Sequence, residues 1–150
     1  RVVVAPALFV LRPEAAANLT RFVESGGTLL ATVRTGEKDE HNRVVDLPFP
    51  GLLSPLVGAT VREFDSRPAG QTVRVQLESA WGGGETSADT WLELVEPQDA
   101  EVVACYSEGL YAGKAAATWR AVGQGGALYL GALGPLAAPD PGASGRATPR

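Results

Sequence analysis

The first third of the chain alternates apolar runs with one amphipathic segment. Val2-Val3-Val4-Ala5 is a continuous apolar run, residues 7–11 form a second, and Arg12-Pro13-Glu14 then opens a helix. Proline suits the first helical position, where the N–H it lacks would be unpaired anyway, and Glu14 complements the positive helix end. Ala16, Leu19, Phe22 and Val23 recur at three- and four-residue spacing, while Glu14, Asn18, Arg21 and Glu24 fall mostly elsewhere around the turn. This periodicity predicts an amphipathic helix lying on a sheet. Ser25-Gly26-Gly27 ends it, since glycine accepts the left-handed conformation of a C-terminal cap, and residues 28–33 follow as a strand too apolar for a solvated face. Strand, helix and apolar strand predict a βαβ unit with a parallel sheet.

Beyond residue 36 the pattern changes. Glu37-Lys38-Asp39-Glu40-His41-Asn42-Arg43 is a charged loop predicted to run over the surface, and a short helical turn is expected over residues 52–57, stopped by Gly58. Short runs of β-type residues follow at 60–64, 72–77, 91–95, 101–106, 115–121 and 127–130, with a glycine-rich hairpin turn at 122–126 joining the last two. Residues 137–150 contain no side chain large enough to anchor them to a core and are expected to form a flexible tail.

Composition narrows the function classes. With 150 residues, 45% of them hydrophobic, the chain is long enough for one core that needs no disulfide or metal staple. Thirteen Lys and Arg against seventeen Asp and Glu form no basic stripe, which argues against nucleic acid. No apolar run has membrane length, and no signal peptide is visible, so no membrane partner and a cytoplasmic location are expected. A chain with no methionine that begins at Arg1 reads as a piece of a longer protein.

Candidate chemistry is sparse. One cysteine, Cys105, and one histidine, His41, cannot assemble a metal site alone, and Cys105 lies in an apolar strand far in sequence from any base. A dinucleotide fingerprint starting at Gly123 would carry Gly125 but has Leu128 where the third glycine belongs, and it leads into a strand. Asp39, Glu40, Glu63 and Asp65 are the conceivable paired carboxylates, each among polar neighbours that favour simple solvation. Trp81, Trp91 and Trp119 can stack on sugars but more commonly pack a core or interface. The expectation is no catalytic, cofactor-binding or metal residue in this chain. The sequon Asn18-Leu19-Thr20 falls inside the predicted helix.

An ordered series of segments resembles the trimerisation domain of glycoside hydrolase family 42 β-galactosidases. It begins with Val2-Val3-Val4-Ala5-Pro6-Ala7-Leu8-Phe9-Val10-Leu11 and Phe22-Val23-Glu24-Ser25-Gly26-Gly27-Thr28-Leu29-Leu30-Ala31-Thr32. It continues through Asp39-Glu40-His41-Asn42-Arg43-Val44-Val45, Phe49-Pro50-Gly51-Leu52-Leu53 and Val61-Arg62-Glu63-Phe64-Asp65, and it resumes at Ala100-Glu101-Val102-Val103-Ala104-Cys105-Tyr106 and Gly123-Gln124-Gly125-Gly126-Ala127-Leu128-Tyr129-Leu130-Gly131. The resemblance implies an α/β fold: a flavodoxin-like, class I glutamine amidotransferase-like three-layer α/β/α domain over residues 1–136, mainly parallel, truncated at its N-terminus, with an antiparallel appendage from residue 60. The truncation implies an unpaired sheet edge and an exposed apolar face. It also implies a homotrimeric parent whose TIM barrel, outside this chain, binds and hydrolyses the galactoside. Where glutamine amidotransferases place a catalytic cysteine after such a strand, Thr32-Val33-Arg34-Thr35-Gly36 offers none. A carbohydrate-binding or sensing module of amidotransferase type, using the Trp81 and Trp91 region or the charged loop, is the alternative reading.

Overall fold

A computed structural model of the protein describes residues 1–134; the tail expected over residues 137–150 lies outside them. The βαβ unit forms as the periodicity predicts. Strand β1 (Val2–Ala5) leads through a turn into helix α1 (Pro13–Glu24), with proline in its first turn, and returns as β2 (Thr28–Thr32) beside β1 in parallel register. Gly26, at φ +97°, closes the helix: its N–H donates to Val23 O and that of Gly27 to Phe22 O, at 3.0 and 2.9 Å.

After a long excursion, a 3-10 turn (Gly51–Leu53) and the one-turn helix α2 (Ser54–Val57) end at Gly58, also left-handed at φ +65°. The rest is strand, apart from a second 3-10 turn at Ser79–Trp81: β3 (Ala59–Ser66), β4 (Val73–Leu77), β5 (Glu85–Ala88), β6 (Trp91–Pro97), β7 (Glu101–Tyr106), β8 (Ala115–Val122), β9 (Gly125–Leu130) and β10 (Ala132–Leu133). Hydrophobic runs announced six of these strands; β5 (Glu-Thr-Ser-Ala) and the two-residue β10 carry no such run.

The expected three-layer α/β/α architecture with a mainly parallel sheet is not what forms. Strands account for 44% and helices for 16% of the described residues, in one mixed sheet curled into half a barrel. Only β1, β2 and β9 run parallel, and the remaining pairings are antiparallel. A parallel pair needs a long crossover, and among the described residues after α1 no helix longer than one turn supplies one, so most later strands pair antiparallel. The glutamine amidotransferase-like assignment falls with the three-layer fold.

The main path runs β1-β2-β9-β8-β7-β4-β5, and the sheet forks at β6. Strand β6 pairs with β8 at Val95↔Ala115 and with β10 at Leu92↔Ala132, wedging between strands that are continuous with a hairpin further along. Gly131 marks the fork: its N–H still donates to Ala116 O on β8, while its carbonyl accepts from Glu93 N on β6. Two cores follow. One packs α1, Leu53, Leu56 and Val57 on one side of the parallel strands; the other, with Val75, Leu92, Tyr106 and Ala117, fills the curl. Edge strand β1 leaves Val2 65% and Val4 59% exposed.

Candidate functional site

The loops leaving the carboxyl ends of β1 and β2 meet β6 beside the fork. Thr32, the last residue of β2, accepts the Ala7 N–H on its hydroxyl at 2.8 Å and so ties the first loop to the second. The Thr35 hydroxyl donates back to Thr32 O at 2.7 Å, which turns the chain sharply. Arg34 between them takes φ +63°, a conformation uncommon for a residue with a side chain. Its backbone N–H then points inward and donates to Glu93 Oε1 at 2.8 Å.

Glu93 on β6 is only 3% exposed, an expensive place for a carboxylate unless its lone pairs are occupied. They are: Oε1 also accepts from the Trp91 indole N–H at 3.2 Å, and Oε2 from the Tyr129 hydroxyl at 2.6 Å. The Tyr106 hydroxyl lies within 2.9 Å of Glu93 O and 3.0 Å of Gly131 O, bracing the fork from behind. Burial pushes the Glu93 carboxyl above its ordinary range, against the three hydrogen bonds that favour its charged form. Burial also raises both tyrosines, and the charge of Glu93 adds to the rise in each.

In front of this centre stands a ladder of rings and cations. The Arg34 guanidinium lies 4.6 Å from the centre of Phe9 and 4.7 Å from that of Trp91, sandwiched between them, with Nε and Nη2 turned to Glu37 at 3.3 and 3.4 Å. The far face of Trp91 stacks on Phe64 of β3, with centroids 5.0 Å apart and planes at 17°. Lys38 Nζ caps the other end, 4.9 Å from Phe9. Each cation–π contact contributes about 0.5–1 kcal/mol at such a site.

The residues singled out from sequence are placed elsewhere or play other parts. The Cys105 thiol faces Glu78 at 3.8 Å, and burial followed by that carboxylate's charge holds it above the ordinary thiol range, the opposite of an activated nucleophile. His41 is exposed beside Glu40, while Asp39 accepts the N–H groups of His41 and Arg43, both at 2.9 Å, as the knot of the loop. Glu63 lies on exposed β3, and Asp65 pairs with Arg67 at 3.4 Å. Trp81 tilts on Trp119 at 5.8 Å and donates to Glu101, whereas Trp91 stands in the ladder, so the two tryptophans offered as one sugar platform belong to different aromatic groups. The glycines from Gly123 form the β8–β9 hairpin, not a helix start. Among the described residues no group of three or more metal-type ligands comes together, and no helix is long and apolar enough to cross a membrane.

Sequence reasoning missed Glu93 and Tyr129. The available signal was phase: in Trp91-Leu92-Glu93-Leu94-Val95 the carboxylate shares a face with Trp91 and Val95, so it points inward with them.

A carboxylate saturated with internal donors and a guanidinium clamped between two rings make a centre that shapes a surface, which defines a structural module. Comparison with known proteins identifies which one. The family model described as the β-galactosidase trimerisation domain matches residues 1–140, and the chain belongs to that family. It is 34% identical over 133 residues to β-galactosidase BgaA of Clostridium cellulovorans, covering 89% of this chain and 20% of the relative. It is 36% identical over 135 residues to β-galactosidase BglY of Alicyclobacillus acidocaldarius, covering 88% and 20%. Among solved structures, the β-galactosidase of Bacillus circulans sp. alkalophilus matches with a TM-score of 0.85 at 29% identity, over 88% of this chain and 20% of that one. That of Halorubrum lacusprofundi matches at 0.82 and 34%, over 89% and 19%. The chain thus spans about a fifth of the length of the relatives it matches.

Proposed function

We propose that this chain is the association domain of a trimeric β-galactosidase, holding three subunits together while the hydrolysis of terminal β-D-galactosides takes place in a TIM barrel outside residues 1–150. The family match across residues 1–140, to a domain named for trimerisation, carries this reading. The chain itself is catalytically silent, needs no cofactor or metal, and works in a cytoplasmic enzyme with neither nucleic acid nor membrane as partner. Burial, then the neighbouring Glu78, pushes the Cys105 thiol above its ordinary range, which supports a silent role. The domain runs to about residue 136. Cyclic closure needs one patch on each copy to meet a different patch on the next, so a rigid module beside a barrel fixes the geometry of all three.

Sedimentation of the full gene product with residues 1–133 present and deleted tests the reading. Dissociation on deletion is expected; an unchanged trimer refutes it. The isolated chain should give no turnover of a nitrophenyl galactoside.

A further inference from the structure

We propose that β10 and Gly134 form a strap hinged at Gly131, whose far end lifts to open an apolar hollow inside the curled sheet while the fork itself stays closed. The hollow measures about 490 Å³, and Ala132, Leu133 and Gly134 make one of its walls. Five of its lining residues are alanines: Ala88, Ala104, Ala116 and Ala117 on β5, β7 and β8, and Ala132 on the strap. Small closed barrels fill such a space with inward side chains. Here the inward side chains are short, the strap faces open space on that side, and lifting it forfeits little dispersion contact.

The two ends of the strap are held unequally. At the near end, Gly131 N–H donates to Ala116 O at 2.8 Å, and Gly131 O accepts from Glu93 N at 2.6 Å with the Tyr106 hydroxyl 3.0 Å away. A Cβ on Gly131 would stand 2.4 Å from Val95 Cγ2, so this end is packed as well as bonded. At the far end one oxygen, Leu133 O, is shared between Asp89 N at 3.1 Å and Thr90 N at 3.3 Å. Between the ends the strap has only two residue pairs with β6, Ala132↔Leu92 and Leu133↔Trp91. Both strap residues are half-buried, whereas Ala88, against which Gly134 lies, is 1% exposed. A short pairing with few buried contacts is the kind of segment that opens locally, ahead of global unfolding. Gly134 completes the seam: a Cβ there would stand 2.0 Å from Ser87 O and 2.9 Å from Ala88 Cα, so the strap closes because this position has no side chain. Lifting the far end uncovers Ala88 and the hollow and leaves Glu93, held through the near end, in place.

Hydrogen exchange of the full gene product, read by mass spectrometry on overlapping peptides over residues 85–93 and 115–130, tests the strap. The amides of Asp89 and Thr90 should exchange about a hundredfold faster than those of the β8–β9 pairing, at a rate unchanged by sub-denaturing urea, and the Glu93 amide at the hinge should stay with the slow group. Gly134→Val, which wedges the seam, should speed Asp89 and Thr90 at least tenfold further and leave Glu93 unchanged. Should near-UV circular dichroism show that variant disturbed, thiol modification of Ala88→Cys decides, and this buried thiol should react about a hundredfold faster than the protein unfolds globally. Asp89 and Thr90 amides as slow as the β8–β9 pairing, or sped by urea in step with it, overturn the strap. So does a Glu93 amide that opens together with them, a Gly134→Val protein that exchanges like the unsubstituted one, or an Ala88→Cys thiol that reacts only as the protein unfolds.

Discussion

Glu93 shows how one side chain binds fold and surface together. Its raised carboxyl value means the native chain holds that proton more tightly than the unfolded chain does. The stability contributed by this group is fully present below the ordinary carboxyl range and is lost as pH rises through the native value. Glu93→Gln should flatten that slope: its carbonyl still accepts from Arg34 and Trp91, and its amide donates to the Tyr129 hydroxyl. Urea melts at pH 5 and pH 8 should then differ less than in the unsubstituted chain, with stability at pH 8 changed by no more than about 1 kcal/mol. Glu93→Leu strands three donors and should cost about 3 kcal/mol or more. Thr118 presents the converse case, a side chain in β8 that is fully buried with its hydroxyl unpartnered among the described residues. Thr118→Val keeps the shape and removes the desolvated hydroxyl, so a gain of about 1 kcal/mol is expected in the same melts.

At the scale of elements, two glycines make different demands. A Cβ on Gly26 would meet only Gln124, at an ordinary 3.8 Å, so Gly26→Ala should cost only the left-handed backbone, about 1 kcal/mol. On Gly125 it would stand 2.1 Å from Gly27 O and 2.4 Å from Val23 O, forcing the β8–β9 hairpin off the end of α1. Gly125→Ala should therefore lose about 3 kcal/mol in thermal melts. Elements whose signal is local were legible in the sequence: α1 from its periodicity and cap, β1 and β2 from apolar runs, the β8–β9 turn from its glycines. The layer structure was not. Parallel order around β2 is completed by β9, and nothing near Thr28 or Gly126 says they will be partners. The candidate site was equally opaque, because Phe9, Arg34, Phe64, Trp91 and Glu93 come from four separate stretches that meet only through the tie between the first two loops, the β3–β6 pairing and the Arg34–Glu93 hydrogen bond.

Over the whole molecule, the two cores are not independent. Strand β8 contributes Ala115 to one and Ala116 and Ala117 to the other, and β9 divides Ala127 and Tyr129 from Leu128 and Leu130 by alternation. Loss of either core would strip one face from strands the other requires. Helical dichroism, dominated by α1 on one side, and the fluorescence of Trp81 and Trp119 on the other should therefore unfold at one denaturant midpoint. Separate transitions would show that the fork divides the molecule into two folding units.

The pairing of β2 with β9 also sets an order of events during synthesis. The βαβ unit is made before the rest of the sheet, yet the inner neighbour of β2 is encoded about a hundred residues later. Until that strand emerges, Leu29 and Ala31 have no cover on one edge, and β6 must wait for both β8 and β10 to close around it. Such distant contacts slow folding and leave a sticky edge open to neighbours on the same message. Until β9 is made, nascent copies of this domain thus carry β2 with one edge unpaired.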